Sequence, residues 1–182
     1  MPRVAPITGK SDVPAEHHAV VDGVIQTFGR VRGPFSMLLH SPKLAQQMLG
    51  IVNFFRDGSI VEPKLRSLAA LVAAREGEAA YVWAAQVAAA RRAGVREEAI
   101  DLIRAKGDPA RLPEDEREIV AYVQQLVRTN RVDQAAFDRL RNRYGVKWLI
   151  ELTAAASYFG FVCGIANAFE VAAPADGDPL PR

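Results

Sequence analysis

Residues 76–95 read EGEAAYVWAAQVAAARRAGV, and a single amide, Gln86, falls on the apolar side of a stretch made mostly of alanine. With successive helical residues about 100° apart, Ala79, Val82, Trp83, Gln86, Val87, Ala90 and Ala93 share one face. A Gln side chain both donates and accepts hydrogen bonds. Burying it without partners costs about 1–3 kcal/mol, so Gln86 is expected to meet a polar partner, water or a ligand. The surrounding alanines leave room around Trp83, which is expected to form a pocket wall. Tyr81 lies about 140° round the helix from Gln86 and is expected to face a different neighbour, its hydroxyl finding a partner there.

Titratable groups that could carry chemistry are few. His40, in LLHSP, is the one His outside the adjacent pair His17 and His18. Its ordinary pKa lies nearest neutrality, which makes it the best substitute acid–base group; a structural role is the plainer alternative. His17 and His18 stand beside Glu16, but adjacent helical residues point in different directions and make no shared ligand pair, so no metal site is expected. Arg30 and Arg32, in FGRVRGPF, occupy a Gly-flanked loop where an arginine can clamp a substrate carboxylate through two bonds. Arg56, with Asn53 in NFFRDG, is a second candidate of that kind. A solvated surface is the alternative for both. Cys163 has no second cysteine to pair with and reads as a small buried apolar residue.

The elements that must position these groups are helical. Period-two alternation is nowhere sustained, whereas helical periodicity recurs between local stop signals. Pro14 with Glu16 opens a helix to about 28, Ser41-Pro42 one to about 55, and Glu62-Pro63 one to about 75. Further helices are expected over 78–93, 97–105, 113–130, 133–144 and 146–171, with acidic residues in the first turn after Pro113 suiting the helix dipole. Gly29, Gly58, Gly77, Gly94, Gly107 and Gly145 follow these runs and are expected in the left-handed conformation that ends helices. The fold class is thus all-α, about eight helices in a single domain over 1–182, with Pro-rich flexible arms at about 1–13 and 172–182 that dangle or lie along a neighbouring subunit.

Bulk composition narrows the function. A net charge of +2 on 182 residues is too mild to argue for nucleic acid. One cysteine fits a reducing compartment, and the start MPRVAPITGK has no apolar leader core, so a cytoplasmic location is expected. Residues 148–169 are long and apolar, but Glu151, Thr153, Ser157 and Asn167 interrupt them. A core or oligomer-interface helix is expected there rather than a membrane span. Its row Thr153, Ser157, Gly160, Gly164 and Ala168 suits close approach of another helix, one of the same chain or of a second subunit.

LRSLAALVAAREGEAAYVWAAQVAAARRAGVREEAI resembles the core of the carboxymuconolactone decarboxylase family, which shares its fold with the AhpD-type alkyl hydroperoxidases. The family helix reads Tyr-Glu-Trp-x-x-His before alanines, Ala-Gly-Leu/Val and an acidic turn; here stand Tyr81, Val82, Trp83, Gln86 and RRAGVREEAI. GPFSMLLHSPKLAQ and YFGFVCGIANAFEV are similar to flanking helices of longer members. The resemblance implies an AhpD-like fold, a homo-oligomer and a small-molecule substrate, with no cofactor. It also implies a His at Gln86, a Glu at Ser67 and, in the peroxidase branch, cysteines at Ala79 and Val82; all four are replaced. Thiol chemistry needs a thiolate that those positions no longer supply, and neither Ser67 nor Gln86 titrates near neutrality. Ser67 is expected as a hydrogen-bond partner of Gln86. The expected function is a non-redox enzyme of the carboxymuconolactone decarboxylase-like class, with lyase-type chemistry on a small organic acid or lactone from aromatic compound catabolism. The alternatives are a catalytically silent binding or structural oligomer and, third, an AhpD-like peroxidase.

Overall fold

A computed structural model describes residues 2–181, and the helices begin where local chemistry provides a start. A tight turn over Ala15–His17 leads into α1 (His18–Phe28). Proline holds the first position of α2 (Pro34–Leu38), α3 (Pro42–Asn53) and α4 (Pro63–Glu76), where its missing N–H would be unpaired in any case. Helix α3 ends in a π-helical turn, Phe54–Gly58. Then come α5 (Ala80–Arg92), α6 (Glu97–Arg104), α7 (Glu114–Thr129), α8 (Gln134–Tyr144) and α9 (Val146–Ala168). Asp133 caps α8 by accepting a 2.7 Å bond from the Ala136 N–H. The described residues hold nine α-helices and no strand. The helix beyond the expected eight is α2, five residues long and buried throughout, too short to show a period.

By internal contacts the chain divides into two units. The first comprises residues 1–59 and 165–172. Its core gathers Val21 and Val24 of α1, Phe35 and Leu38 of α2, and Ala45 and Leu49 of α3. Ile7 of the N-terminal arm joins that core, and its N–H donates to the Ser36 carbonyl at 3.0 Å. Arg3 donates from its backbone to Phe169 and pairs its side chain with Glu170. The N-terminal arm is therefore anchored along its own unit rather than left dangling, because Ile7 has a core to enter.

The second unit comprises residues 60–164 and 173–182. Helix α4 is its centre: Leu68 through Arg75 are buried without a break, as expected for a helix covered on all sides. It packs against α5, α6 and α7. Lys64 of α4 and Arg96, just before α6, both bond Glu116 of α7, whose side chain is 1% exposed.

Three of the glycines expected in left-handed geometry have positive φ, Gly29, Gly94 and Gly145. Gly77 has φ −76°, and it is Glu78 at φ 47° that turns the chain. Gly77 serves close packing instead: an added Cβ would lie 3.1 Å from both the Ala73 carbonyl oxygen and the Cys163 Cβ. Because Glu78 leaves the helical region, α5 starts two residues later than the sequence suggests.

Helix α9 is long and apolar enough to cross a bilayer by length and composition. Within the second unit Trp148 and Leu152 are buried, and Tyr122 of α7 shares a 2.7 Å hydrogen bond with Thr153. The remainder of its small-residue row lies open: a Cβ on Gly160 or Gly164 would meet nothing within 4 Å. Among the described residues, Gly160 and Gly164 therefore have no close partner. Val146 and Ile150 are exposed beside it.

Candidate functional site

Helix α5 carries the sequence-predicted site on one side. Ala79, Trp83, Val87 and Ala90 are fully buried and Val82 nearly so. Gln86 sits at the flank of that stripe and is half-buried rather than enclosed. No hydrogen bond engages its side chain among the described residues, and the same holds for Ser67 on α4, so the expected Ser67–Gln86 bond is not formed. Partial exposure removes the penalty that enclosure would impose, because water reaches the amide. Both side chains are left with their full hydrogen-bonding capacity, on two helices that pack together. Tyr81 is half-buried and is engaged by at least one interaction partner.

Trp83 has no exposed surface, and its indole Nε1 has no hydrogen-bond partner. The Arg104 guanidinium stands 5.7 Å from the ring centroid, a cation–π distance. Arg75, on α4, donates from Nε to the Arg104 carbonyl at 2.7 Å and so holds the end of α6. Arg104 pairs in turn with Asp101 and, at 3.1 Å, with Asp178 of the C-terminal arm. Asp178 also takes Arg91 of α5, at 2.6 Å from Nη1. The arm expected to dangle or to lie along a neighbouring subunit is fastened here across its own unit. Hydrogen bonds that Arg91 donates to Glu97 and Asp178 raise its pKa, and the bond from Arg91 depresses that of Asp178.

This cluster of Arg75, Arg91, Arg104 and Asp178 is what sequence reading missed. The pairs bonded within it are 29 to 87 positions apart. One signal was present: Arg75 continues the apolar run LAALVAA, on the same face as Leu68 and Leu71.

The other proposed residues belong to the first unit. His40 is exposed, with Nε2 2.9 Å from the Ala5 carbonyl, so its ring tethers the N-terminal arm. Arg56 is exposed and spends its guanidinium on its neighbour Asp57, donating from Nε at 3.0 Å. Arg30 and Arg32 are exposed. Asn53 accepts from the Thr27 hydroxyl at 3.3 Å. Among the described residues no group of three or more His, Cys, Asp or Glu side chains gathers as a metal ligand set. Cys163 is buried, and burial pushes its thiol pKa up to about 12.

An all-helical architecture with a buried Trp stripe on α5 and replaced site residues can now be set beside known proteins. Solved structures match over nearly the whole length. The debrominase Bmp8, in complex with 2,3,4-tribromopyrrole, gives a TM-score of 0.74 at 19% identity, covering 96% of this chain and 95% of that one. An uncharacterized peroxidase-related protein from Ralstonia eutropha, described as an alkylhydroperoxidase AhpD core, gives 0.74 at 16% identity, covering 95% of each chain. One from Silicibacter gives 0.73 at 16%, covering 96% and 90%. At such identities the likeness concerns the fold, and the chain has the AhpD-like fold. Residues 42–125, from the start of α3 through most of α7, match the profile of the carboxymuconolactone decarboxylase family. Within that match stand Ser67, Ala79, Val82 and Gln86, at the positions discussed above. No curated protein matches the chain.

Proposed function

We propose that the protein is a non-redox small-molecule enzyme of the carboxymuconolactone decarboxylase-like class, acting on a small organic acid or lactone. The observation that carries this reading is Gln86. A half-buried amide with no partner, at the family's histidine position and one turn from a buried Trp, is suited to hold a ligand oxygen. Lactone carbonyls and carboxylates both accept from such a donor. In this reading Ser67 supplies a second polar contact from α4, and transition-state charge is met by fixed donors rather than by proton transfer. Burial of Cys163, with its thiol held protonated, argues against a peroxidase. A binding protein without turnover is the second reading, favoured by the replacement of both family acid–base positions with groups that do not titrate near neutrality.

A thermal-shift screen of small aromatic acids and lactones tests the assignment on wild type and on Gln86→Met. Because the amide makes no internal hydrogen bond, Gln86→Met should leave the unliganded melting temperature within about 0.5 kcal/mol of equivalent stability. A ligand that stabilises wild type and not the variant supports the site. Equal stabilisation of both by every ligand found would remove Gln86 from it. Turnover of the stabilising ligand separates the enzyme from the silent binder.

A further inference from the structure

The C-terminal arm, residues 173–181, is irregular, and among the described residues its polar attachment to the rest of the second unit is one carboxylate, that of Asp178. That carboxylate is gripped from three directions. Arg91 donates to Oδ2 from Nη1 at 2.6 Å and to Oδ1 from Nη2 at 3.1 Å. Arg104 donates to Oδ1 from Nη2 at 3.1 Å. A planar fork from one arginine and a third bond from another is the arrangement that recognises a carboxylate selectively. The arginines are held for the purpose. Glu97 fixes Arg91 through Nε at 2.7 Å, Asp101 fixes Arg104, and Trp83 lies under the Arg104 guanidinium.

Two further observations mark the place. Beside the pair, Trp83 Nε1 and Arg104 Nε are buried without hydrogen-bond partners, as is Arg75 Nη1, whose nearest carboxylate is Glu78 at 3.9 Å. Leaving such a donor unpaired is costly, and an acceptor-bearing ligand relieves it. The arm also reaches the site by a route that admits no side chain. The Gly177 N–H closes a turn onto the Pro174 carbonyl at 3.0 Å, and a Cβ on Gly177 would lie 2.7 Å from the Ala84 Cβ of α5. Gly177 thereby delivers Asp178 to the arginine pair.

We infer that Arg91 and Arg104 form a binding site for a small organic carboxylate, and that Asp178 is its internal occupant, which an external carboxylate displaces. Displacing that one carboxylate releases the arm's polar fastening, and the incoming carboxylate restores the bonds it breaks. Charge stays balanced in the exchange, since one carboxylate leaves the pair of guanidiniums and another takes its place. The exchange is independent of Gln86, because it requires neither turnover nor the Gln86 amide.

The full-length protein tests this by calorimetric titration with benzoate, with benzamide as the uncharged isostere and inorganic phosphate as the alternative oxyanion. A tethered competitor acts at an effective concentration in the millimolar range, so removing it should tighten benzoate binding about tenfold. Asp178→Asn and Gly177→Val are both expected to do this, the first by deleting the charge and the second by displacing the arm with its charge intact. If one of them fails to fold by circular dichroism, the other carries the test. Adding Arg104→Gln to either variant should abolish the gain, and benzamide should not bind. The inference is overturned if benzoate binds both folded variants no tighter than wild type, or if Arg104→Gln leaves the gain in place. Phosphate binding as tightly as benzoate would overturn the carboxylate assignment.

Discussion

Glu116 offers a measurable handle on the scaffold that holds the site helices. Its side chain is 1% exposed and makes two 2.8 Å contacts, with Lys64 Nζ and with Arg96 Nη2. Lys64 lies one turn before Ser67 on α4, and Arg96 opens α6, the helix that ends in Arg104. Glu116→Gln keeps the shape. The amide oxygen can satisfy one cation, while the NH2 group is turned toward the other. One charge-assisted bond, worth about 1.5–3 kcal/mol, is lost outright. Lys64 and Arg96 are 37% and 43% exposed and recover hydration, which places the expected loss near the lower part of that range, about 2 kcal/mol. Acid supplies a second signature. Burial pushes the Glu116 pKa up, but the bonds from Arg96 and Lys64 outweigh it and hold it below the usual carboxylate range. A carboxylate depressed in the folded state contributes its full stability above its unfolded pKa of about 4.3, and loses it as pH falls through the folded value. Urea unfolding followed by circular dichroism should therefore show a gap between wild type and Glu116→Gln at pH 7 that closes in acid below about pH 4. A gap under about 0.5 kcal/mol at neutral pH, or one that stays constant into acid, would refute the reasoning.

Cys163→Ser should leave ligand binding and any turnover unchanged. The folded wild type should also resist alkylation at pH 8, because its thiol pKa is pushed up to about 12; rapid labelling of the native protein would contradict this. Gly77→Ala should cost about 1 kcal/mol by calorimetric melting, because its Cβ would lie 3.1 Å from the Ala73 carbonyl oxygen and the Cys163 Cβ, and those neighbours must shift to admit it. Gly164→Leu, where a Cβ meets nothing, should leave the protomer's fold intact, as read by far-ultraviolet circular dichroism. A lowered native mass in that variant would place a second copy against α9, and loss of helicity would show an internal contact instead.

Most helix starts and ends are legible because they are local. Pro42, Pro63 and Asp133 mark starts within a residue of those observed, and Gly29 and Gly145 mark stops. Where a local rule had two solutions, the sequence could not choose between them. Gly77 followed by Glu78 is such a case: tertiary packing against Cys163 claimed the glycine, and the charged residue took the positive φ. The apolar stripe of α5 is also legible, with Trp83 at its centre, but Gln86 proved to flank the stripe rather than occupy its middle. A periodic pattern fixes a residue's direction only to within the width of the face, and a half-buried flank differs greatly from a buried centre for an amide.

Charge pairing is the level at which sequence reading fails for a physical reason. A clamp needs reach and access, which points to Arg30 and Arg32 in a loop and to Arg56 in the turn that ends α3. The arginines with convergent partners lie on helices instead. Arg75 and Arg104 sit at the ends of α4 and α6, and Arg91 in the last turn of α5, where cations complement the helix dipole. The dipole accounts for each of them singly, and three local explanations conceal a shared neighbourhood. Only the packing of α5 and α6 about α4, with the arm laid across, brings Arg91 and Arg104 together on one carboxylate, while Arg75 holds the Arg104 carbonyl. A thiol or acid–base site announces itself by residue type, whereas a site built from fixed donors is recognised by what those donors lack. Trp83 Nε1 and Arg104 Nε, buried and unpartnered beside an exchangeable aspartate, are the mark of such a site here.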